Sequence, residues 1–292
     1  MLGIYCPPEK ERYSETVRSE LPGEEVRVFT SQEDLAAGGR PIEALLLDPH
    51  MPALPLAGLA TLKLVQPTSA GVEGLRMGEI PPRVRIARVV DLFGPGVGES
   101  VFSHLLARNQ NIVALAQAQR DRAWRRVKIK TTLEGQRLGV AGLGSIGSHV
   151  VRLGRAFGMR MRGYSRTGAA AASLPLESHM TAAPGGLAEF ANGLDVLVLT
   201  LPVTPATRRI VGRSVLAALG PRGVLVNVGR GGWSTSLPSS RLWAQGNSGA
   251  RSWMCLRSSP CRPSALSGVS KCNHHPPCRG RRPACGDRTP LR

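Results

Sequence analysis

At 292 residues the chain is long enough for two domains of ordinary size, and a 42% hydrophobic content is enough to build their cores. No run of 18 apolar residues occurs and Met1 to Pro8 carry no basic stretch followed by an apolar segment, so neither a membrane span nor a secretory leader is expected; a soluble cytoplasmic protein is. The formal charge of +18 would suggest nucleic acid or an acidic surface as partner, but residues 233–292 alone hold 10 Lys and Arg against the single acid Asp287, so half of the excess belongs to the tail.

Residues 1–98 contain apolar runs that predict short buried strands at Leu2 to Tyr5, Glu25 to Phe29, Ala44 to Leu47, Leu62 to Gln66 and Ile86 to Val90. Polar, helix-compatible pieces such as Gln32 to Ala37 alternate with them, which predicts a small α/β domain with a parallel sheet. Glu99 to Trp124 has no internal Gly or Pro and predicts one long helix leading into the next domain. Beyond it, strands are expected at 138–141, 159–164, 195–200 and 223–228, with helices at 146–157, 186–191 and 213–219 between them. Uniformly apolar strands alternating with helices predict a doubly wound parallel sheet. Four histidines lie in this part: His104 and His149 on expected helices, His50 and His179 in expected loops. For each, a structural or solvated role outweighs catalysis.

The junction of the strand at 138–141 with the helix after it reads Gly142-Leu-Gly144-Ser145-Ile146-Gly147. The first glycine of such a motif permits the tight turn, the second lets backbone approach a pyrophosphate, and the third lets the helix pack closely on the strand. The phosphate then sits at a positive helix N-terminus. With 34 glycines in the chain the spacing alone is weak, and an ordinary strand-Gly-helix corner is the competing reading; the apolar strand before it and Val150, Val151, Leu153 and Phe157 after it carry the assignment. Ser165-Arg166-Thr167 then occupies the place, about 20 residues on, where such folds read the ribose.

Five segments agree in order and spacing with one family: Thr68-Ser-Ala-Gly-Val-Glu73, Ala87-Arg-Val-Val-Asp91, the glycine loop, Leu201-Pro-Val-Thr-Pro-Ala-Thr207 and Val226-Asn-Val-Gly-Arg-Gly-Gly232. Residues 1–232 resemble a D-isomer specific 2-hydroxyacid dehydrogenase, and within that family a glyoxylate/hydroxypyruvate reductase. The resemblance implies a Rossmann-type doubly wound sheet at 99–232 that binds NAD(P), plus a smaller flavodoxin-like α/β substrate domain at 1–98 that a C-terminal return of the chain normally completes. It implies a small 2-oxo or 2-hydroxy acid as substrate and a homodimer formed through the nucleotide domain. Arg230 matches the family's arginine, which holds the substrate carboxylate and stabilises charge developing on oxygen. Backbone N–H groups near Ala70 and Gly71 would bind the carboxylate's other side. Gly142, Gly144, Ser145, Ile146 and Gly147 would hold the cofactor phosphates, with Leu201, Pro202 and Val228 completing the cofactor site at strand ends. Where an acid would read the 2'-hydroxyl of NAD(H), Ser165, Arg166 and Thr167 offer a cation and two hydroxyls, so NADP(H) is implied over NAD(H); a solvated turn is the competing reading.

The family's proton donor, a histidine paired with a glutamate, has no counterpart. Ser259 stands where the glutamate is expected, no Glu follows Glu189, and no Asp lies between Asp195 and Asp287. The genetic code suggests why. Read from the third base of the Trp253 codon, Trp253-Met254-Cys255 must encode Asp-Val, part of the family's Leu-Asp-Val-Phe strand. The same frame permits Glu across Ser258 and Ser259. Read from the second base of the Lys271 codon, residues 271–280 permit Asn-Val-Ile-Ile-Thr-Pro-His-Val-Ala-Gly, the family's histidine segment. An indel near Gly232 and another between about Gly268 and Lys271 would explain both. The tail at 233–292 is therefore expected to be disordered, and the nucleotide domain to lack its last strands. Cys272, His274, His275 and Cys278 only superficially resemble a metal cluster, so no metal site is assigned. The basic stretch Arg279 to Arg282 lacks interleaved aromatics, which ranks nucleic acid last among partners. The second-ranked function is an NAD(P)-binding protein without catalysis.

Overall fold

A computed structural model describes residues 1–6, 9–36, 41–48, 56–69, 75, 80–87, 89–229 and 250–255, the last segment by its backbone. The chain divides into the units Met1–Ser259 and Pro260–Arg292, and the second lies outside the described residues; of the tail at 233–292 expected to be disordered, Ala250–Cys255 is a strand and the rest lies outside the described residues.

The first sheet contains β1 (Leu2–Tyr5), β2 (Val26–Val28), β3 (Ala44–Leu47), β4 (Leu64–Pro67) and β5 (Arg85–Ile86), in the order β2-β1-β3-β4-β5 and wholly parallel. That order is the flavodoxin-like one. Its core gathers Tyr5, Phe29, Leu35, Ile42, Leu45, Leu47, Leu62 and Val65. The alternation along β3 shows how: Leu45 and Leu47 are buried while Ala44 and Leu46 are less so. Two helices accompany these strands, α1 (Lys10–Glu20) and α2 (Gln32–Ala36). Only Ser14 is buried on α1, so its sequence carries no apolar stripe that marks a helix.

The second sheet contains β6 (Arg137–Ala141), β7 (Arg160–Ser165), β8 (Ser178–Thr181), β9 (Val196–Leu199), β10 (Gly223–Asn227) and β11 (Ala250–Cys255). Its order is β11-β10-β9-β6-β7-β8, every pair parallel. Counted from β6, this is the Rossmann order 3-2-1-4-5-6. Successive residues serve opposite cores: Val196 and Val198 join Leu138, Val140, Val224 and Val226 on one face, while Leu197 and Leu199 join Tyr164, Phe190 and Leu225 on the other. Burial on both faces is why these strands read as continuous apolar runs. The connecting helices are α5 (Ser145–Ala156), α6 (Gly186–Ala191) and α7 (Arg213–Leu219).

Three expectations are corrected. The long helix at 99–124 is two helices, α3 (Gly94–Asn109) and α4 (Ile112–Arg120), separated by Asn111 in the left-handed conformation at φ 52°. Helix α3 also starts earlier than expected, on Gly94 and Pro95, where proline's missing N–H costs nothing. His179 lies on strand β8 rather than in a loop. The nucleotide sheet does not stop at β10: Ala250–Cys255 pairs with it in parallel, Asn227 opposite Cys255. Among the described residues no helix is long and apolar enough to cross a membrane, and no group of three or more His, Cys, Asp or Glu side chains could hold a metal ion. The cysteine and histidine cluster at 272–278 and His50 lie outside the described residues.

Candidate nucleotide-binding site

The strand order reverses between β6 and β9, and a crevice opens at the carboxyl ends of strands flanking such a point. Backbone hydrogen bonds align those ends. Thr200 N–H donates to Ala141 O at 2.9 Å, Gly142 N–H to Tyr164 O at 2.8 Å, Ala182 N–H to Ser165 O at 2.9 Å and Val228 N–H to Leu199 O at 3.2 Å. The expected cofactor residues 142–147, 165–167, 201–202 and 228 thereby come to one edge of one sheet.

Each glycine of the loop has a separate steric reason to be there. Gly142 sits at φ +102°, and a Cβ on it would stand 2.7 Å from Thr200 Oγ1. A Cβ on Gly147 would stand 1.9 Å from Gly142 O, so no side chain fits between helix α5 and the loop. Around Gly144 nothing lies within 4 Å of where a Cβ would be, which leaves open ground in front of the helix. Gly144 is also the N-cap of α5 and offers no side-chain cap, and the first turn holds no acid to neutralise the positive end of the helix. Ser145 Oγ is buried without a hydrogen-bond partner among the described atoms. A buried hydroxyl lacking a partner, beside uncapped N–H groups and open space, fits a pyrophosphate oxygen. Ile146 packs its side chain into the core under the helix.

Thr200, which sequence reasoning passed over, buttresses the loop. Its hydroxyl lies 2.6 Å from Gly142 O and 3.1 Å from Ala141 O, holding the turn from the neighbouring strand. The available signal was a hydroxyl residue directly after the four-residue apolar run of β9. Leu201 and Pro202 follow it, and the Thr207 hydroxyl donates to Pro202 O at 2.5 Å while Thr204 and Thr207 bond each other reciprocally, which fixes the segment as a turn. Val228 is buried at the end of β10, next to Asn227, whose Oδ1 accepts from Gly229 N–H at 3.0 Å.

At the end of β7, Arg166 and Thr167 are exposed, and Arg166 makes no ion pair among the described residues. Ser165 is half-buried, its hydroxyl 2.7 Å from Thr167 O and 2.9 Å from His179 Nε2. The other two described histidines bond to carbonyls of their own helices: His104 Nδ1, exposed, lies 2.7 Å from Ser100 O, and His149 Nδ1 lies 3.0 Å from Ser145 O. Arg230, Ala70 and Gly71, the expected substrate-carboxylate residues, lie outside the described residues.

Residues 102–236 match the model of the D-isomer specific 2-hydroxyacid dehydrogenase NAD-binding domain. Hydroxyphenylpyruvate reductase of Plectranthus scutellarioides is 31% identical over 59% of this chain and 54% of its own length. Glyoxylate/hydroxypyruvate reductase A HPR2 of Arabidopsis thaliana is 26% identical over 73% of this chain and 67% of its own. The chain thus spans a little over half to two-thirds of these relatives. A solved D-isomer specific 2-hydroxyacid dehydrogenase from Xanthobacter autotrophicus Py2, in complex with NADPH and MES, superposes with a TM-score of 0.69 over 90% of this chain and 83% of that one, at 25% identity. Sheet order, glycine loop and these matches agree: residues 102–236 carry the NAD-binding domain of the D-isomer specific 2-hydroxyacid dehydrogenases.

Proposed function

We propose that this chain binds NADPH in preference to NADH and is built to reduce a small 2-oxo acid, glyoxylate or hydroxypyruvate, with turnover severely impaired in the sequence as it stands. The observation that carries the reading is the glycine-lined N-terminus of α5 at the switch point, without a side-chain cap, and beside it Ser145 Oγ, buried and without a partner among the described residues. Gly142, Gly144, Ser145, Ile146 and Gly147 hold the pyrophosphate. Ser165, Arg166 and Thr167 receive an adenosine 2'-phosphate, since no carboxylate in that turn repels it. Leu201, Pro202 and Val228 flank the nicotinamide end, and a bound nicotinamide supplies the hydride. Arg230 pairs with the substrate carboxylate from one side, and the backbone at Ala70 and Gly71 from the other, within a substrate domain formed by residues 1–98.

The impairment follows from proton supply. The sequence has no Glu after Glu189 and Ser259 at the expected glutamate, so the developing alkoxide has no positioned acid. Loss of a general acid costs typically ~10²- to 10⁴-fold in rate. Full-length protein titrated with NADPH and NADH, then assayed with glyoxylate and hydroxypyruvate, tests both parts. Tighter NADPH binding with turnover depressed by that factor is expected. Turnover at the level of intact relatives overturns the impairment, and absence of dinucleotide binding overturns the whole reading. Binding with no oxidation of NADPH by any 2-oxo acid favours the second reading, a nucleotide-binding protein without catalysis, to which the missing acid pair already lends support.

The exposed apolar side chains Ile112, Val113 and Leu115 on α4, with Ile129 and a Trp124 that is 96% exposed, support a homodimer through the nucleotide domain. Resequencing the DNA across codons 230–280 tests the proposed frameshift: triplets incompatible with Glu at 258–259 and His at 277–278 overturn it.

A further inference from the structure

The Ser165 hydroxyl lies between two partners, 2.7 Å from Thr167 O and 2.9 Å from His179 Nε2. A carbonyl can only accept and a serine hydroxyl has one hydrogen, so the proton of Ser165 goes to Thr167 and the imidazole must donate through Nε2. His179 belongs to β8, the edge strand of the nucleotide sheet, opposite Gly163 of β7. Ser165 lies two residues further along β7, hence on the same face of the sheet. The register of two strands has therefore brought a histidine, 14 residues on in sequence, against the residue that opens the ribose-reading turn.

We infer that His179 is a positioning residue for cofactor selection, acting through the Ser165 hydroxyl to hold the 165–167 turn ready for an adenosine 2'-phosphate. The inference rests on the NADPH reading given above. A phosphate dianion offers only acceptors. Ser165 can turn its single hydrogen from the Thr167 carbonyl to a phosphate oxygen while Oγ stays anchored from behind, and the Nε2–H of His179 is that anchor. Accepting this bond also polarises the O–H and strengthens what it donates. Arg166, exposed and unpaired among the described residues, adds the charge. The free 2'-hydroxyl of NADH can itself donate a hydrogen and makes no such demand on Ser165.

The test is equilibrium binding of NADPH and NADH to the full-length chain and to His179→Ala, His179→Gln, Ser165→Ala and Arg166→Ala. His179→Ala is expected to weaken NADPH about tenfold, the size of one hydrogen bond to a charged group, and NADH less than twofold. His179→Gln, which keeps an N–H donor at similar reach, restores most of the loss; His179→Ala made in the Ser165→Ala background adds nothing further. Should His179→Ala fail to fold, His179→Met fills the space without a donor and carries the same expectation. If the unmodified chain binds both dinucleotides equally and Arg166→Ala changes neither, the NADPH reading itself fails. If NADPH is preferred and Arg166→Ala removes the preference, but the donorless His179 variants weaken both dinucleotides alike or neither, only the role of His179 is overturned.

Discussion

Gly147 shows how little latitude the phosphate loop has. The third glycine of such a motif is usually described as permitting close packing, and here the partner in that packing is backbone: the carbonyl of Gly142, 1.9 Å from where a methyl would sit. A flexible side chain could yield to an added methyl; a carbonyl held by Thr200 Oγ1 at 2.6 Å cannot do so without breaking that bond. Gly147→Ala is therefore expected to destabilise the fold by about 1–3 kcal/mol, the range for overpacking, and to weaken both NADPH and NADH more than tenfold. Urea unfolding and nucleotide titration of the same sample check the two halves. Unchanged affinity for both dinucleotides would show that the loop does not touch phosphate.

At the scale of elements, the break between α3 and α4 is a small device with several ties. Asn111 takes the left-handed conformation, and its side-chain amide donates to Lys128 O. Lys130 N–H donates to Asn109 O at 2.8 Å. The segment that leads to β6 is thus stitched back onto the end of α3. Asn is tolerated at positive φ where most residues are strained. Asn111→Ala should cost about 1–2 kcal/mol from lost conformational tolerance and one lost hydrogen bond, measured as a shift of the urea midpoint. Asn111→Gly, which keeps the backbone but loses the amide, should cost less.

The same break explains what could be read from sequence and what could not. Strands β6, β9 and β10 were legible because burial on both faces makes them uniformly apolar. Strand β8, Ser-His-Met-Thr, was not, because an edge strand with exposed ends needs no apolar run. Asn111 interrupts a segment whose composition is helix-compatible throughout, so the sequence carries no breaker of the usual kind there. In the site, the glycine spacing is local and readable. The bonds from Thr200 to Gly142 and from His179 to Ser165 depend on which strands become neighbours, and that is settled only when the sheet is assembled.

For the molecule as a whole, β11 is the last described element of the larger unit. Its five register pairs with β10 lie within the unit Met1–Ser259. A chain ending at Ser259 keeps β11, whereas one ending at Gly229 loses that ladder and leaves β10 as an open edge. At a net ~0.5–1.5 kcal/mol per ladder hydrogen bond, the second truncation should be less stable than the first and aggregate more readily. Equal stability of the two truncated chains, by thermal unfolding, would show that β11 contributes nothing.

The Thr200 buttress also dictates an order of events during synthesis. The phosphate loop is encoded at 142–147, but its inner wall and two of its bonds come from a residue 58 and 59 positions later. As the polypeptide leaves the ribosome, the glycines are exposed well before the strand that shapes them, and contacts that far apart form slowly. The loop cannot take its final shape until β9 has paired with β6. A nascent chain halted before residue 200 carries the whole nucleotide motif and nothing of the buttress that holds its turn.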